Sequence, residues 1–185
     1  MQHSASNRFE PTTFSATVMS DTETGTHEPI SGGCLCKAVK YSIAFPQGCW
    51  PPKKNNICHC TQCRKATGAL MSHIITVTPS QITWTCEDRS FREYSSSNGV
   101  FRGFCQTCGS TLSWRNTKTP AEIDIFSGTL DEDVLIGGDG ETGRKILMTD
   151  RQFWCDNLVP GVTDGAKSRF MYKTNAEGGV LGEVA

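Results

Sequence analysis

The stretch Cys58-His59-Cys60-Thr61-Gln62-Cys63-Arg64-Lys65 constrains this chain more than any other. Three thiols within six residues are hard to explain by packing, and the C-x-C-x-x-C spacing points to metal ligation. The short spacers reverse the chain and leave the three sulfurs on one side, where they converge on a single Zn²⁺. A structural zinc takes four protein ligands, whereas a catalytic zinc keeps three and leaves one position for water or substrate. The local count is three. The alternative is a second structural zinc, closed by His59, by Cys49, Cys86 or Cys155, or by a carboxylate. Those three cysteines otherwise read as small buried hydrophobes or free thiols.

Two further pairs place four more of the ten cysteines. Cys34-Leu35-Cys36 lies early and Cys105-Gln106-Thr107-Cys108-Gly109 lies late, so a four-thiolate zinc built from both would clamp the start of the domain to its far side. Such a centre is a staple, and roughly 10–16 kcal/mol of binding free energy at zinc-peptide sites makes it a determinant of folding. The rival account of ten cysteines is a disulfide framework. It fits poorly, because Met1 to Ser20 lacks the apolar stretch of a secretory signal and the two thiols of a C-x-C are poor disulfide partners. The expectation is an intracellular, cytoplasmic protein without a membrane span.

Eighteen basic and nineteen acidic residues give a formal net charge of −1, which implies no electrostatic pull towards nucleic acid or an anionic membrane. With 185 residues, 37% of them hydrophobic, one domain with a modest core is expected. Residues 1–30 are polar and without sustained period and read as a flexible leader. Residues 31–173 form the domain, and 174–185 read as a loose tail.

Within the domain, Val39, Tyr41, Ile43 and Phe45 alternate with Ala38, Lys40, Ser42 and Ala44, the pattern of a half-buried strand. Pro46 to Lys53 interrupts it as an irregular loop. Arg64 to Gly68 suits one helical turn. Strands are expected at Leu70 to Thr78, Ile82 to Thr85, Phe91 to Ser95, Val100 to Phe104, Thr111 to Arg115 and Glu122 to Phe126. Gly137 to Gly143 reads as a loop and Arg144 to Asn157 as a strand followed by a helix, with Arg151 to Leu158 amphipathic. The fold class is mostly β, a single domain of short antiparallel strands with one or two short helices.

Four pieces in order resemble the family of glutathione-dependent formaldehyde-activating enzymes and centromere protein V. They are Gly32-Gly33-Cys34-Leu35-Cys36 with Val39 and Tyr41, Cys58 to Lys65 with Gly68, Phe104-Cys105-Gln106-Thr107-Cys108-Gly109-Ser110 with Leu112, and Ser127-Gly128-Thr129-Leu130-Asp131. The resemblance implies a tent-like zinc fold with a four-thiolate structural zinc and a three-thiolate zinc that accepts a thiol substrate. For some members it implies carbon–sulfur lyase chemistry. Many relatives carry a His-Ile pair soon after the last piece. This chain has only His3, His27, His59 and His73, so that histidine's role does not transfer.

The expected metal ligands are therefore Cys34, Cys36, Cys105 and Cys108 at one zinc and Cys58, Cys60 and Cys63 at another. Three thiolates make that second zinc a weak Lewis acid that suits sulfur, and a thiol arriving as fourth ligand would lose its proton. His59 is the candidate acid/base, with Asp124 and Asp131 as alternatives whose plain reading is a solvated or turn-capping carboxylate. Arg64 and Lys65 are candidates to receive the carboxylates of glutathione. Phe101, Phe104, Trp84 and Trp114 read as core. The expected function is a zinc-dependent carbon–sulfur lyase acting on a glutathione or other thiol adduct of a small electrophile. The alternatives are zinc Lewis-acid chemistry on a non-thiol metabolite and a non-enzymatic interaction module. The leader carries Arg8 and no lysine, which lacks the basic extension of a chromatin binder.

Overall fold

The computed structural model describes residues 27–86, 89–149, 151–165, 168, 170–175 and 180–183. The leader assigned to 1–30 lies outside them except for its last four residues, which open a strand. Alternation of apolar and polar residues drives the architecture. Strand β1 (His27–Gly33) pairs antiparallel with β2 (Val39–Phe45), and β2 with β5 (Ile82–Cys86), giving a three-stranded sheet in the order β1-β2-β5. Val39, Tyr41, Ile43 and Phe45 are all buried, as their period-2 pattern predicts.

The larger sheet holds the remaining strands. In sequence these are β3 (Asn55–Cys58), β4 (Ser72–Val77), β6 (Phe91–Ser97), β7 (Val100–Cys105), β8 (Thr111–Asn116), β9 (Ile123–Phe126), β10 (Arg151–Phe153), β11 (Phe170–Tyr172) and β12 (Val180–Glu183). Their order across the sheet is β12-β11-β10-β3-β4-β9-β8-β7-β6. Pairing is antiparallel except that β10 runs parallel to both β3 and β11. Among the described residues three short α-helices complete the fold, α1 (Thr61–Thr67), α2 (Glu132–Leu135) and α3 (Glu141–Leu147). The fold is mostly β, built on short, chiefly antiparallel strands.

Because directly opposed residues share a face, the large sheet has two distinct sides. Ile75, Val77, Ile123, Ile125 and Leu112 join β2 in the main apolar cluster. On the other side Cys58, Cys63, Ile74 and Phe126 form a smaller cluster beneath the thiol knuckle. No helix among the described residues is long and apolar enough to cross a membrane.

Beyond Asp131 the structure departs from the sequence expectation. Glu141 to Leu147 is helical where a loop meeting a strand was expected, and Arg151 to Leu158 is a three-residue strand and a 3-10 turn rather than an amphipathic helix. Trp154 adopts a left-handed backbone at φ 62°, which stops any helix there. The apolar spacing in this segment instead serves a strand docked on β3, with Gln152 fully buried. Val180–Glu183, within the stretch read as a loose tail, pairs antiparallel with β11.

Candidate functional site

The turn between β1 and β2 supplies Cys34 and Cys36, while Cys105 ends β7 and the turn that follows supplies Cys108. Both turns carry a residue in the left-handed region directly after their last cysteine, Lys37 at φ 67° and Gly109 at φ 75°. The chain thereby curls back, and backbone N–H groups face the sulfurs: Val39 donates to Cys34 Sγ at 3.2 Å. The Leu35 N–H donates to Ser110 Oγ at 3.0 Å and ties the two turns together. The Sγ atoms of Cys34 and Cys36 are 3.5 Å apart and those of Cys36 and Cys105 3.7 Å. Four sulfurs bound tetrahedrally at about 2.3 Å from a zinc would be separated by about 3.8 Å, so this set fits the ion.

Cys58 ends β3, while Cys60 and Cys63 flank the start of α1. Cys60 doubles as the helix N-cap, its sulfur accepting the Cys63 N–H at 3.2 Å. The helix thus begins inside the knuckle and ends at Gly68, whose φ of 70° closes its last turn. Cys58, Cys60 and Cys63 offer ligand sulfurs all within 4.8 Å of one another. Among the described residues no further His, Cys, Asp or Glu ligand atom joins that group, and Cys49, Cys86 and Cys155 lie outside both sets.

The three sulfurs open on a cavity of about 490 Å³. Ile74, Val100, Trp114, Phe153 and Trp154 give it apolar walls, and amide side chains of Gln62, Asn157 and Asn175 line it as well. Its floor is a cross-strand row in which Asp124 on β9 faces Trp114 on β8 and Trp114 faces Arg102 on β7, and Thr76 on β4 continues the row behind Asp124, outside the cavity. Asp124 accepts a 2.6 Å hydrogen bond from Thr76 Oγ1. Burial nevertheless dominates and pushes its carboxyl up to about 6, with Glu122 adding to the rise and the Thr76 bond opposing it. Arg102, only 2% exposed, points both terminal guanidinium nitrogens at Cys63 Sγ from 3.7 Å.

The remaining sequence candidates lie elsewhere. His59 is fully buried and does not line the cavity. Its Nε2 meets Gln152 Oε1 at 2.7 Å, while Gln152 Nε2 donates to Ser168 Oγ at 2.9 Å. That second bond orients the amide, so His59 carries its proton on Nε2, and burial holds the imidazole below its usual range and neutral. Arg64 directs its guanidinium at backbone carbonyls, Leu70 at 3.2 Å and Asn157 at 2.6 Å, rather than at the cavity. Lys65 is exposed on α1. Asp131 accepts from Ser31 Oγ at 2.6 Å and lines a different cleft, beside Gly32 and Gly33. Sequence reasoning missed Arg102, Phe153 and Trp154, and placed Trp114 in the core although it lines the cavity.

A Schizosaccharomyces pombe protein named only as an uncharacterized lyase is 32% identical over 114 residues, covering 57% of this chain and 77% of its own. A crystal structure of a Rhodobacter sphaeroides protein, a structural genomics target, aligns at a TM-score of 0.46 and 21% identity, over 56% of this chain and 89% of that one. The family model described as glutathione-dependent formaldehyde-activating enzyme matches residues 29–157, a span that holds all seven clustered cysteines and Asp124. The chain belongs to the glutathione-dependent formaldehyde-activating enzyme family.

Proposed function

We propose that this protein is a carbon–sulfur lyase acting on adducts between a thiol, glutathione or a relative of it, and a small carbonyl electrophile. The observation that carries the reading is the cavity that brings Asp124 to the same space as the sulfurs of Cys58, Cys60 and Cys63. A zinc ion held by those three residues supplies a soft Lewis-acid position that favours the substrate sulfur as a thiolate at neutral pH. A second zinc belongs with Cys34, Cys36, Cys105 and Cys108 and serves structure.

The chain's own residues do the rest. In a hydroxyalkyl thioether, Asp124 takes the hydroxyl proton, the oxygen electrons form the carbonyl, and the carbon–sulfur bond breaks with its electron pair leaving on sulfur. In the reverse direction Asp124 returns the proton to the carbonyl oxygen as the thiolate adds. A carboxyl held near 6 suits both roles, since it is mostly ionised at pH 7 yet not too weak a base. Trp114, Phe153 and Trp154 exclude water from the reacting bond, and the amides of Gln62, Asn157 and Asn175 meet the polar ends of the thiol. His59 positions the knuckle through Gln152 and moves no proton.

The test is turnover of a formaldehyde–glutathione adduct by the metal-analysed protein. Two zinc ions per chain are expected, with activity lost by roughly 100-fold or more in Asp124→Asn, the scale of positioned acid–base catalysis. An Asp124→Asn protein of unchanged rate removes the assignment.

A further inference from the structure

Among the described residues Arg102 is the largest fully buried side chain. A guanidinium stays charged at any physiological pH, and a charge out of water needs an anion beside it. Among the described residues the ion pairs are Lys54–Glu122, Arg115–Glu93 and Lys145–Glu141, all of them surface pairs without Arg102. What Arg102 does face is sulfur, since both ends of its fork sit 3.7 Å from Cys63 Sγ. A neutral thiol would leave the buried cation uncompensated, whereas a thiolate satisfies it. Arg102 also lines the cavity, so its charge is felt where a fourth ligand enters.

We infer that Arg102 is the counter-charge of the three-thiolate centre and the residue that allows the centre to accept a fourth, anionic sulfur. The part concerning the fourth sulfur rests on the lyase reading above. Three thiolates around a divalent cation carry a net charge of −1, and a fourth thiolate makes it −2. The Arg102 guanidinium brings that total back to −1 inside an apolar, aromatic cavity, where unscreened charge is most costly. The four-cysteine centre meets the same −2 differently, with Cys36 exposed and Cys108 half-buried, so that water screens it. Arg102 is thus a positioning residue that acts through Cys63 and the local field.

The experiment uses Co²⁺ as the metal probe and 2-mercaptoethanol as the thiol probe, on full-length protein with cobalt content fixed by elemental analysis. Sulfur-to-cobalt charge-transfer absorption reports uptake of the added thiol. Wild type should bind it, Arg102→Gln should bind at least tenfold more weakly at equal cobalt content, and Arg102→Lys, which keeps the charge, should stay within about threefold of wild type. Equal binding by Arg102→Gln overturns the inference, and so does an Arg102→Lys protein as weak as Arg102→Gln. If Arg102→Gln does not fold, Arg102→Lys decides alone, with a tenfold loss counting against the role. A wild-type protein that takes up no thiol refutes the lyase reading instead. The counter-charge is then read from cobalt affinity, which should fall at least tenfold in a folded Arg102→Gln or, failing that, stay near wild type in Arg102→Lys. Unchanged affinity in the first or a tenfold loss in the second would end it.

Discussion

In the proposed lyase, Asp124 has opposite consequences for stability and for turnover. Its folded-state carboxyl sits at about 6, above its ordinary 3.8, so the folded protein holds a proton that the unfolded chain has already released. The sign follows: stability falls as pH rises through this interval and is flat above it. Asp124→Asn should therefore be more stable than wild type at pH 7–8, on the order of 2 kcal/mol, with the difference shrinking as pH falls to 5.5. Urea melts across that range check it; lower pH would protonate the thiolate ligands themselves. The same substitution should lower turnover by roughly 100-fold or more, and in wild type the elimination rate should rise with pH through about 6. His59→Ala should instead cost about 1–3 kcal/mol, because Gln152 Oε1 loses its buried partner, and should leave the midpoint of that pH profile where it was. A shifted midpoint would return an acid/base role to His59. At this scale the cysteines were legible because their spacing is itself the signal. Asp124 could be nominated but not placed, since Ile123-Asp124-Ile125 reads equally well with its carboxylate in water. Arg102 gave no sign, because an arginine in Val100 to Phe104 looks like any outward-facing strand residue.

Among the elements, α1 is the one whose existence depends on the site. It has seven residues, no acidic residue in its first turn, and Cys60 as its cap, so ligand and helix start are one structure. Serine is itself a good N-cap, so Cys60→Ser should spare the helix while removing a metal ligand. Turnover should be lost in Cys60→Ser with a small change in melting temperature. Cys34→Ser or Cys105→Ser should instead give no soluble folded protein, since each breaks a centre shared by two distant turns. Equal melting losses in both classes would make the knuckle a second staple. The strand alternation of β2 was plain in the sequence, and so were β4 to β9, whereas β1 was hidden in a polar stretch read partly as leader and the four-residue β3 carries two asparagines and too short a pattern to announce itself. Arg151 to Leu158 was not plain either, because Phe153, Trp154 and Leu158 have helical spacing while the actual constraint is tertiary: parallel pairing with β3 and β11, and a buried Gln152 joined to His59 and Ser168.

For the whole molecule, the proposed function divides the labour of the two cysteine sets between folding and chemistry. Cys34 and Cys36 follow β1 of the small sheet, while Cys105 ends β7 of the large one and Cys108 follows it, so a metal shared by the four would lock the sheets around the β2 core. The knuckle sits on the opposite face of the large sheet, over the row from Thr76 to Arg102. Sequence spacing announced both sets, but the cavity required β10 to bring Phe153 and Trp154 against β3, a contact between residues some ninety-five apart. In the proposed lyase the knuckle centre, bound by three cysteines, takes a substrate sulfur as its fourth ligand. Calorimetry of the zinc-loaded protein with glutathione, run at pH 7 in two buffers of different ionisation enthalpy, reads that step. Close to one proton should be released per glutathione bound, binding should tighten as pH rises towards the thiol range near 8.5, and S-methylglutathione, whose thioether cannot become an anionic ligand, should bind far more weakly. Equal binding of the two compounds without proton release would contradict it.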